Sequence, residues 1–141
     1  MMPYIIRSGC WDELQQDAQF IREQVFIQEQ QIAVEDEWDS EDFTSQHFVV
    51  YDQDNPIATA RLLTHNSIGR VAVLQSYRGL GIGRLLMLAI IEQAQQQQRV
   101  FLKLSAQVHA IAFYESLGFV VEGQHYLDCD IPHVDMRRLL K

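Results

Sequence analysis

Hydrophobic positions near the start of the chain change from a strand-like run to a helical spacing. Residues 4–7 alternate in the manner of a short strand. The apolar positions after it recur every three or four residues: Trp11, Leu14, Ala18, Ile21 and Val25. This spacing places them on one face of a helix. The pattern predicts a first helix that runs to about residue 26, with Asp12 as its N-terminal cap.

Three predicted strands follow in the first half of the chain. Residues 47–51 and 57–63 are rich in β-branched and aromatic side chains, and residues 52–56 between them consist of turn formers. A third strand over residues 68–74 leads into a glycine cluster and a broad apolar helix. We expect these three strands to be linked by hairpins.

Strands and helices alternate in the second half. Residues 100–104 predict a strand, and apolar residues between 110 and 117 recur at helical spacing before Gly118, a C-terminal cap. Residues 119–122 and 134–139 predict the last two strands. The whole order predicts an α/β (α+β) fold, with a mixed, mostly antiparallel sheet of six to seven strands and helices on both faces.

Composition narrows the class of protein. The chain has 141 residues, of which 48% are hydrophobic and 21% charged, so we expect one packed domain over residues 1–141. Eleven basic and 19 acidic residues give a net charge of −8, which disfavours nucleic acid as a partner. No apolar run reaches the roughly 18 residues that cross a bilayer, and residues 1–7 lack a secretory signal, so we expect a cytoplasmic protein without membrane contact.

Cysteines and acidic residues add three expectations. Cys10 and Cys129 predict free, buried thiols in a reducing compartment. Residues 23–42 hold eight acids and no Lys or Arg, which predicts a helix end and an exposed loop, or a field that attracts cationic amines. The His, Asp and Cys residues between 125 and 133 fit no zinc spacing, so no metal is expected.

A glycine-rich turn between a strand and a helix carries the strongest chemical signal. Gly79, Gly81 and Gly83 let the backbone approach a ligand closely, and the free amides that begin a helix favour phosphate oxygens. The turn lacks both the Gly-Lys-Ser/Thr of a P-loop and the G-x-G-x-x-G of a dinucleotide fold. It therefore predicts a different phosphate ligand.

The spacing Arg78-x-x-Gly81-x-Gly83 resembles the R/Q-x-x-G-x-G/A pyrophosphate loop of the GNAT superfamily of acyl-CoA-dependent N-acetyltransferases. A second segment resembles that superfamily's closing helix: Ala110-x-x-Phe113-Tyr114-Glu115-x-Leu117-Gly118-Phe119. The two segments occur in the family's order and separation. The acidic segment and residues 104–107 resemble the ElaA-like branch, with Gln107 where the pattern commonly has asparagine.

The resemblance implies transfer of an acetyl group from acetyl-CoA to a primary amine by direct attack, without a metal. The amine is a small cationic molecule or a peptide amine, and the protein is a monomer or homodimer. Backbone groups of the strand before the turn would pair with the pantetheine arm: Val71, Ala72 and Val73. The other implied cofactor-binding residues are Arg78, Gly79, Leu80, Gly81, Ile82, Gly83, Arg84, Gln107 and Phe113.

The chemistry needs a proton donor for the thiolate and a proton acceptor for the amine. Tyr114 is the matched donor, because a phenol is protonated at neutral pH. A backbone N–H near Val73 would polarise the thioester carbonyl. For the acceptor, Glu29 is ranked ahead of Glu35 and His133.

The alternative function is a non-catalytic acyl-CoA-binding sensor. Such a module would keep the Arg78 to Gly83 turn and would not need Tyr114.

Overall fold

The computed structural model describes residues 4–141, so the first three residues of the predicted domain and of the predicted signal-free N-terminus lie outside the described residues. Its strands are β1 (Tyr4–Gly9), β2 (Gln46–Asp52), β3 (Asn55–Leu62), β4 (Ser67–Val73), β5 (Phe101–Gln107), β6 (Val120–Asp128) and β7 (Ile131–Leu139). They form one seven-stranded sheet in the order β1-β2-β3-β4-β5-β7-β6. All neighbours are antiparallel except β4 and β5, so the predicted mixed sheet is confirmed.

The helices are α1 (Trp11–Arg22), α2 (Val34–Glu37), α3 (Ile82–Gln96) and α4 (Ile111–Glu115). The α1 conformation ends at Arg22 and continues as a π-helical segment, Glu23–Glu29, past the predicted end. The predicted Asp12 cap is wrong. The residue before α1 is Cys10, whose N–H donates to Glu13 Oε1 at 3.1 Å, the backward half of a capping box. None of the helices in the described chain is long and apolar enough to span a bilayer.

Alternating side chains along β2 supply two apolar cores, one on each face of the sheet. Phe48 and Val50 pack with α3 and α4, whereas Val49 and Tyr51 pack with α1. We call these sides the α3/α4 face and the α1 face. The arrangement confirms the predicted helices on both faces.

The two halves of the sheet meet through a short parallel contact. Only the pairs Ser67–Lys103 and Ile68–Leu104 join β4 to β5 in the part of the chain that the structure describes, although both strands continue. Arg70 bulges from β4 with a φ of +51°. The edge of β4 that faces β5 therefore has no strand partner beyond Ile68, and a gap, the β4–β5 opening, remains.

The acidic segment is partly buried, so the expectation of an exposed loop is wrong for its inner carboxylates. Glu37 and Asp42 are each 2% exposed and bind Arg22, which is 1% exposed, at 2.6 and 2.8 Å. Asp42 also binds Arg61 at 2.8 Å. A buried carboxylate needs such a partner. Both arginines lie outside residues 23–42, so the acidic segment alone predicted a solvent-exposed loop.

A tight turn joins β6 and β7, and both strands are longer than predicted. The turn residues Cys129 and Asp130 have φ of +50° and +64°, the left-handed pair of a two-residue hairpin. Cys10 and Cys129 are free as expected, but both are exposed, so the expectation of buried thiols is wrong. The predicted Gly118 cap at the C-terminal end of α4 is confirmed. Gly118 has a φ of +91°, and the Phe119 N–H donates to the Tyr114 carbonyl at 3.1 Å.

Candidate active site

A cavity of about 840 Å³ occupies the β4–β5 opening. One wall comes from the π-helical segment and α2, and another from the start of α3 and from α4. The exposed strand edges and the β6–β7 turn complete the lining. The cavity therefore touches both faces of the sheet.

Six consecutive free amides lie in the turn at one end of the cavity, where five of their residues belong to the lining. The N–H groups of residues 79–84 have no backbone acceptor among the described residues, and the first bond of α3 is donated by Leu85 to the Gly81 carbonyl at 3.0 Å. We call these six groups the amide cradle. Free amides at the positive end of a 15-residue helix make a site for an anion such as a phosphate.

Glycines give the cradle its shape. Gly79 and Gly81 have φ of +78° and +82°, the left-handed region that other residues enter at a cost. A Cβ at either position would meet nothing within 4 Å, so the space beside them is open for a ligand. At Gly83 a Cβ would lie 3.4 Å from Phe113 Cζ, which places the Phe113 ring against the first turn of α3.

Two of the predicted site residues bind each other. Arg78 Nη1 donates to Glu29 Oε2 at 2.5 Å, and Nη2 donates to Oε1 at 2.6 Å. Arg78 Nε also donates to the Val73 carbonyl at 3.0 Å. These hydrogen bonds from Arg78 lower the pKa of the Glu29 carboxyl below its ordinary value. In this arrangement the guanidinium of Arg78 is already engaged, and the Glu29 carboxylate is a weaker base.

The remaining residues of the turn differ in position. Arg84 lines the cavity, and its only hydrogen bond to a side chain of the described residues is a long one to Ser116 Oγ at 3.5 Å. The side chain of Leu80 is 59% exposed and lies outside the lining, so only its backbone takes part in the cradle. Val71, Ala72 and Val73 line the cavity along the free edge of β4.

Tyr114 belongs to α4 and reaches the cavity from the α3/α4 face. Its side chain is 8% exposed and its ring packs edge-on against Phe113, with centroids 5.0 Å apart. Burial raises the pKa of the phenol to about 12. The hydroxyl therefore stays protonated throughout the neutral range and remains a hydrogen-bond donor.

Gln107 links the two sides of the cavity. Its Nε2 donates to Gln30 Oε1 at 3.0 Å, and its Oε1 accepts from His109 Nε2 at 2.8 Å. Gln30 follows the π-helical segment, whereas Gln107 ends β5. The hydrogen bond between Gln107 and Gln30 therefore bridges the space between those two elements.

The alternative bases occupy different places. Glu35 is exposed and lies outside the cavity lining. His133 lines the cavity and is 9% exposed, and its Nδ1 donates to the Ile131 carbonyl at 2.7 Å.

Several lining residues were not predicted as site residues: Gln30, Asp36, Arg70, Ser105, Asp128 and Cys129. Ser105 and Gln107 are two residues apart on β5, so the alternation of a strand could have predicted that their side chains share one face. The positions of the others depend on loop conformation and on the β4 bulge, and the hydrophobic periodicity of the sequence predicts neither. No group of three His, Cys, Asp or Glu side chains within residues 4–141 is placed to hold a metal ion.

Comparisons with known proteins agree on one family. A family model described as an acetyltransferase (GNAT) domain matches residues 13–140. The uncharacterized N-acetyltransferase YjcF of Bacillus subtilis (strain 168) is 34% identical over 131 residues, which cover 90% of this chain and 94% of YjcF. An acyl-CoA N-acyltransferase from Pseudomonas aeruginosa superposes with a TM-score of 0.87 at 30% identity, over 96% of this chain and 99% of that chain. Escherichia coli ElaA superposes with the same TM-score and coverage at 29% identity.

Proposed function

The chain belongs to the GNAT acetyltransferase family, with ElaA among its relatives, and on this premise we propose that it moves the acetyl group of acetyl-CoA to a primary amine. The observation that carries the proposal is the amide cradle, which opens onto the end of a cavity that reaches both faces of the sheet. A cosubstrate with a pyrophosphate and a long, thin arm suits that shape.

The cradle and the free edge of β4 fit two parts of acetyl-CoA. Six unpaired amides at the start of α3 offer donors to the pyrophosphate, and the open space at Gly79 and Gly81 leaves room for its oxygens. Residues 69–73 pair with β3 along one edge of β4, whereas the edge that faces β5 has no strand partner there. That free edge offers hydrogen bonds to the amides of the pantetheine arm, as an added strand would. Arg84, which is exposed at the edge of the cavity, can add charge.

Acetyl-CoA supplies a thioester, whose acyl carbon accepts a nucleophile. In the proposed direct transfer, the amine nitrogen forms a bond to that carbon and the carbon–sulfur bond breaks. Tyr114 donates its proton to the departing thiolate, because its raised pKa keeps the phenol neutral. An amide of β4 near Val73 polarises the carbonyl oxygen.

The acceptor end of the cavity is proposed to select a cationic amine. Asp36 and Asp128 line it, and neither belongs to the ion pairs formed by the arginines of the described structure. Glu37, which also lines it, is bound by Arg22. A small polyamine-like cation or a peptide amine agrees with this balance.

Isothermal titration with acetyl-CoA, followed by thiol release with putrescine, spermidine, lysine and short peptides, tests the proposal. Micromolar binding with turnover of at least one amine supports the transferase. Binding without turnover across the panel favours the acyl-CoA sensor. Absence of binding by folded protein contradicts both.

A further inference from the structure

His133 lies on the opposite side of the sheet from Tyr114. Its neighbours Val134 and Met136 are fully buried in the core on the α3/α4 face, which also contains Tyr114. Neighbouring side chains of a strand point to opposite faces of the sheet, so His133, next to Val134, points towards the α1 face. Both His133 and Tyr114 nevertheless line the same cavity, because the cavity passes through the β4–β5 opening.

The His133 ring is held in one tautomer. A carbonyl oxygen only accepts, so the 2.7 Å contact to Ile131 requires the hydrogen on Nδ1 and leaves the lone pair of the neutral ring on Nε2. Tyr126 stacks on the ring with centroids 6.2 Å apart and planes 22° apart. The Tyr126 hydroxyl is itself fixed, since it donates to Asp135 Oδ1 at 2.6 Å and bonds to the Ser105 hydroxyl.

His133 lines the cavity, and its Nε2 is neither hydrogen-bonded nor fully buried. Arg61 Nε is the only fully buried side-chain nitrogen or oxygen without a partner among residues 4–141. His133 makes its hydrogen bond through Nδ1, so Nε2 is not sealed inside protein. A ring that is 9% exposed, held in place and open at one nitrogen is arranged to accept a proton from a ligand.

Two of the four cavity-lining carboxylates, Glu29 and Glu37, are already engaged by arginines, whereas Asp36 and Asp128 belong to no ion pair of the described residues. Arg78 binds both oxygens of Glu29, and Arg22 binds Glu37. Charged and titratable groups of both signs surround the ring. They are Tyr126 on β6, Asp135 on β7, and the cavity-lining His109, Glu29, Asp36, Glu37, Asp128, Cys129, Arg70, Arg78 and Arg84.

We propose that His133 is a catalytic residue, whose Nε2 accepts the proton of the attacking amine on the α1 face. This role rests on the proposed acetyl transfer. As an ammonium becomes an amide, its nitrogen loses two protons. His133 Nε2 takes the first before the attack and the second from the tetrahedral intermediate, and it passes each to solvent. Tyr114 gives its proton to the thiolate and recovers one from solvent, so one proton is released overall. The donor and the acceptor then act from opposite faces of the sheet.

The test compares His133→Gln with the wild type in kcat/KM for the amine, measured against pH with acetyl-CoA saturating. General base catalysis accounts for about 10²- to 10⁴-fold, so we expect a loss of at least about 100-fold at pH 7. The acidic limb of the profile should disappear, and the deficit should narrow as the pH approaches the pKa of the amine. The matched control is His125→Gln on the exposed part of β6, outside the cavity lining.

Two further measurements separate the possible failures. The affinity of His133→Gln for acetyl-CoA should equal that of the wild type, which also shows that the variant is folded. In the wild type, the nitrogen NMR shifts of His133 should show hydrogen on Nδ1 and should respond to the amine. An active wild type with an unchanged profile in His133→Gln overturns the role of His133 alone. A wild type that binds acetyl-CoA without acetylating any amine overturns the proposed function itself.

Discussion

Arg78 holds both carboxylate oxygens of Glu29 across 49 residues of chain. The first residue comes from the turn before α3 and the second from the end of the π-helical segment. Their pairing ties the wall of the cavity to the amide cradle. An arginine expected to meet pyrophosphate and a carboxylate expected to act as a base therefore neutralise each other before any substrate binds.

Replacement of Glu29 by Gln should tighten acetyl-CoA binding. The change removes a negative charge beside the pyrophosphate site and releases Arg78 to bind phosphate oxygens. Exposed ion pairs are worth up to about 1 kcal/mol, so we expect Kd to fall about fivefold at low salt, and less at high salt. Isothermal titration at two salt concentrations measures the effect.

Glu122→Gln is the matched control, because Glu122 pairs with Arg137 at 3.1 Å on the exposed part of β6. Its Kd should equal that of the wild type. A fall in kcat of about 100-fold in Glu29→Gln would instead support Glu29 as the base and contradict the role proposed for His133.

Tyr114→Phe should slow turnover and leave acetyl-CoA affinity unchanged. The ring still fills its place against Phe113, but the proton donor is gone. We expect kcat to fall by about 10²-fold. A spectrophotometric titration should also lose one phenol that ionises only near pH 12. Tyr51→Phe is the control: it loses a bond to Asp17 on the α1 face, outside the cavity lining, and its kcat should not change.

Gly81→Val should weaken acetyl-CoA binding by at least about tenfold, because the side chain enters the cradle and strains the backbone. Gly123→Val is a control for the strain, since Gly123 has a φ of +78°, has open space around its Cβ position and lies outside the cavity lining. Both variants should lose roughly 1–3 kcal/mol of unfolding free energy. Equal Kd values for the two would contradict the cradle as the phosphate site.

Asp39 should make the stability fall in acid. Hydrogen bonds from Arg61 lower the pKa of the Asp39 carboxyl to about 2, whereas the unfolded chain has its ordinary value near 3.9. The unfolded state therefore binds the proton first, and the stabilisation present above pH 4 is lost as the pH falls towards 2.

Asp39→Asn should lower the free energy of unfolding by about 1 kcal/mol at pH 7, since the carboxylate is one-third exposed and screened by solvent. Urea denaturation at several pH values should show the gap to the wild type closing near pH 2. Asp54→Asn, in the exposed β2–β3 turn, should leave the pH dependence unchanged. A gap that stays constant down to pH 2 would rule out the Arg61–Asp39 pair as its source.

Local patterns in the sequence predicted the single strands, helices and turns, whose conformation depends on neighbouring residues. The β-branched and aromatic residues at 47–51 predicted β2, and the glycine cluster predicted the turn with free amides that precedes α3. The pairing of Arg22 with Glu37 was not predictable, because it joins distant segments without a period. The same holds for Arg78 with Glu29. His133 was named among the bases, but the predicted strand began at residue 134, so the alternation that assigns its face could not be applied.

The opening between β4 and β5 divides the chain into parts that evolution can alter separately. In the proposed transfer, the glycine turn and the start of α3 bind a cosubstrate that is the same for every amine. The segment after α1 and the β6–β7 turn line the end proposed for the acceptor, apart from Glu29, which binds Arg78. Mutations in these two loops can exchange one amine for another while the cradle is preserved. Divergence of specificity should therefore concentrate there and leave the other side of the sheet conserved.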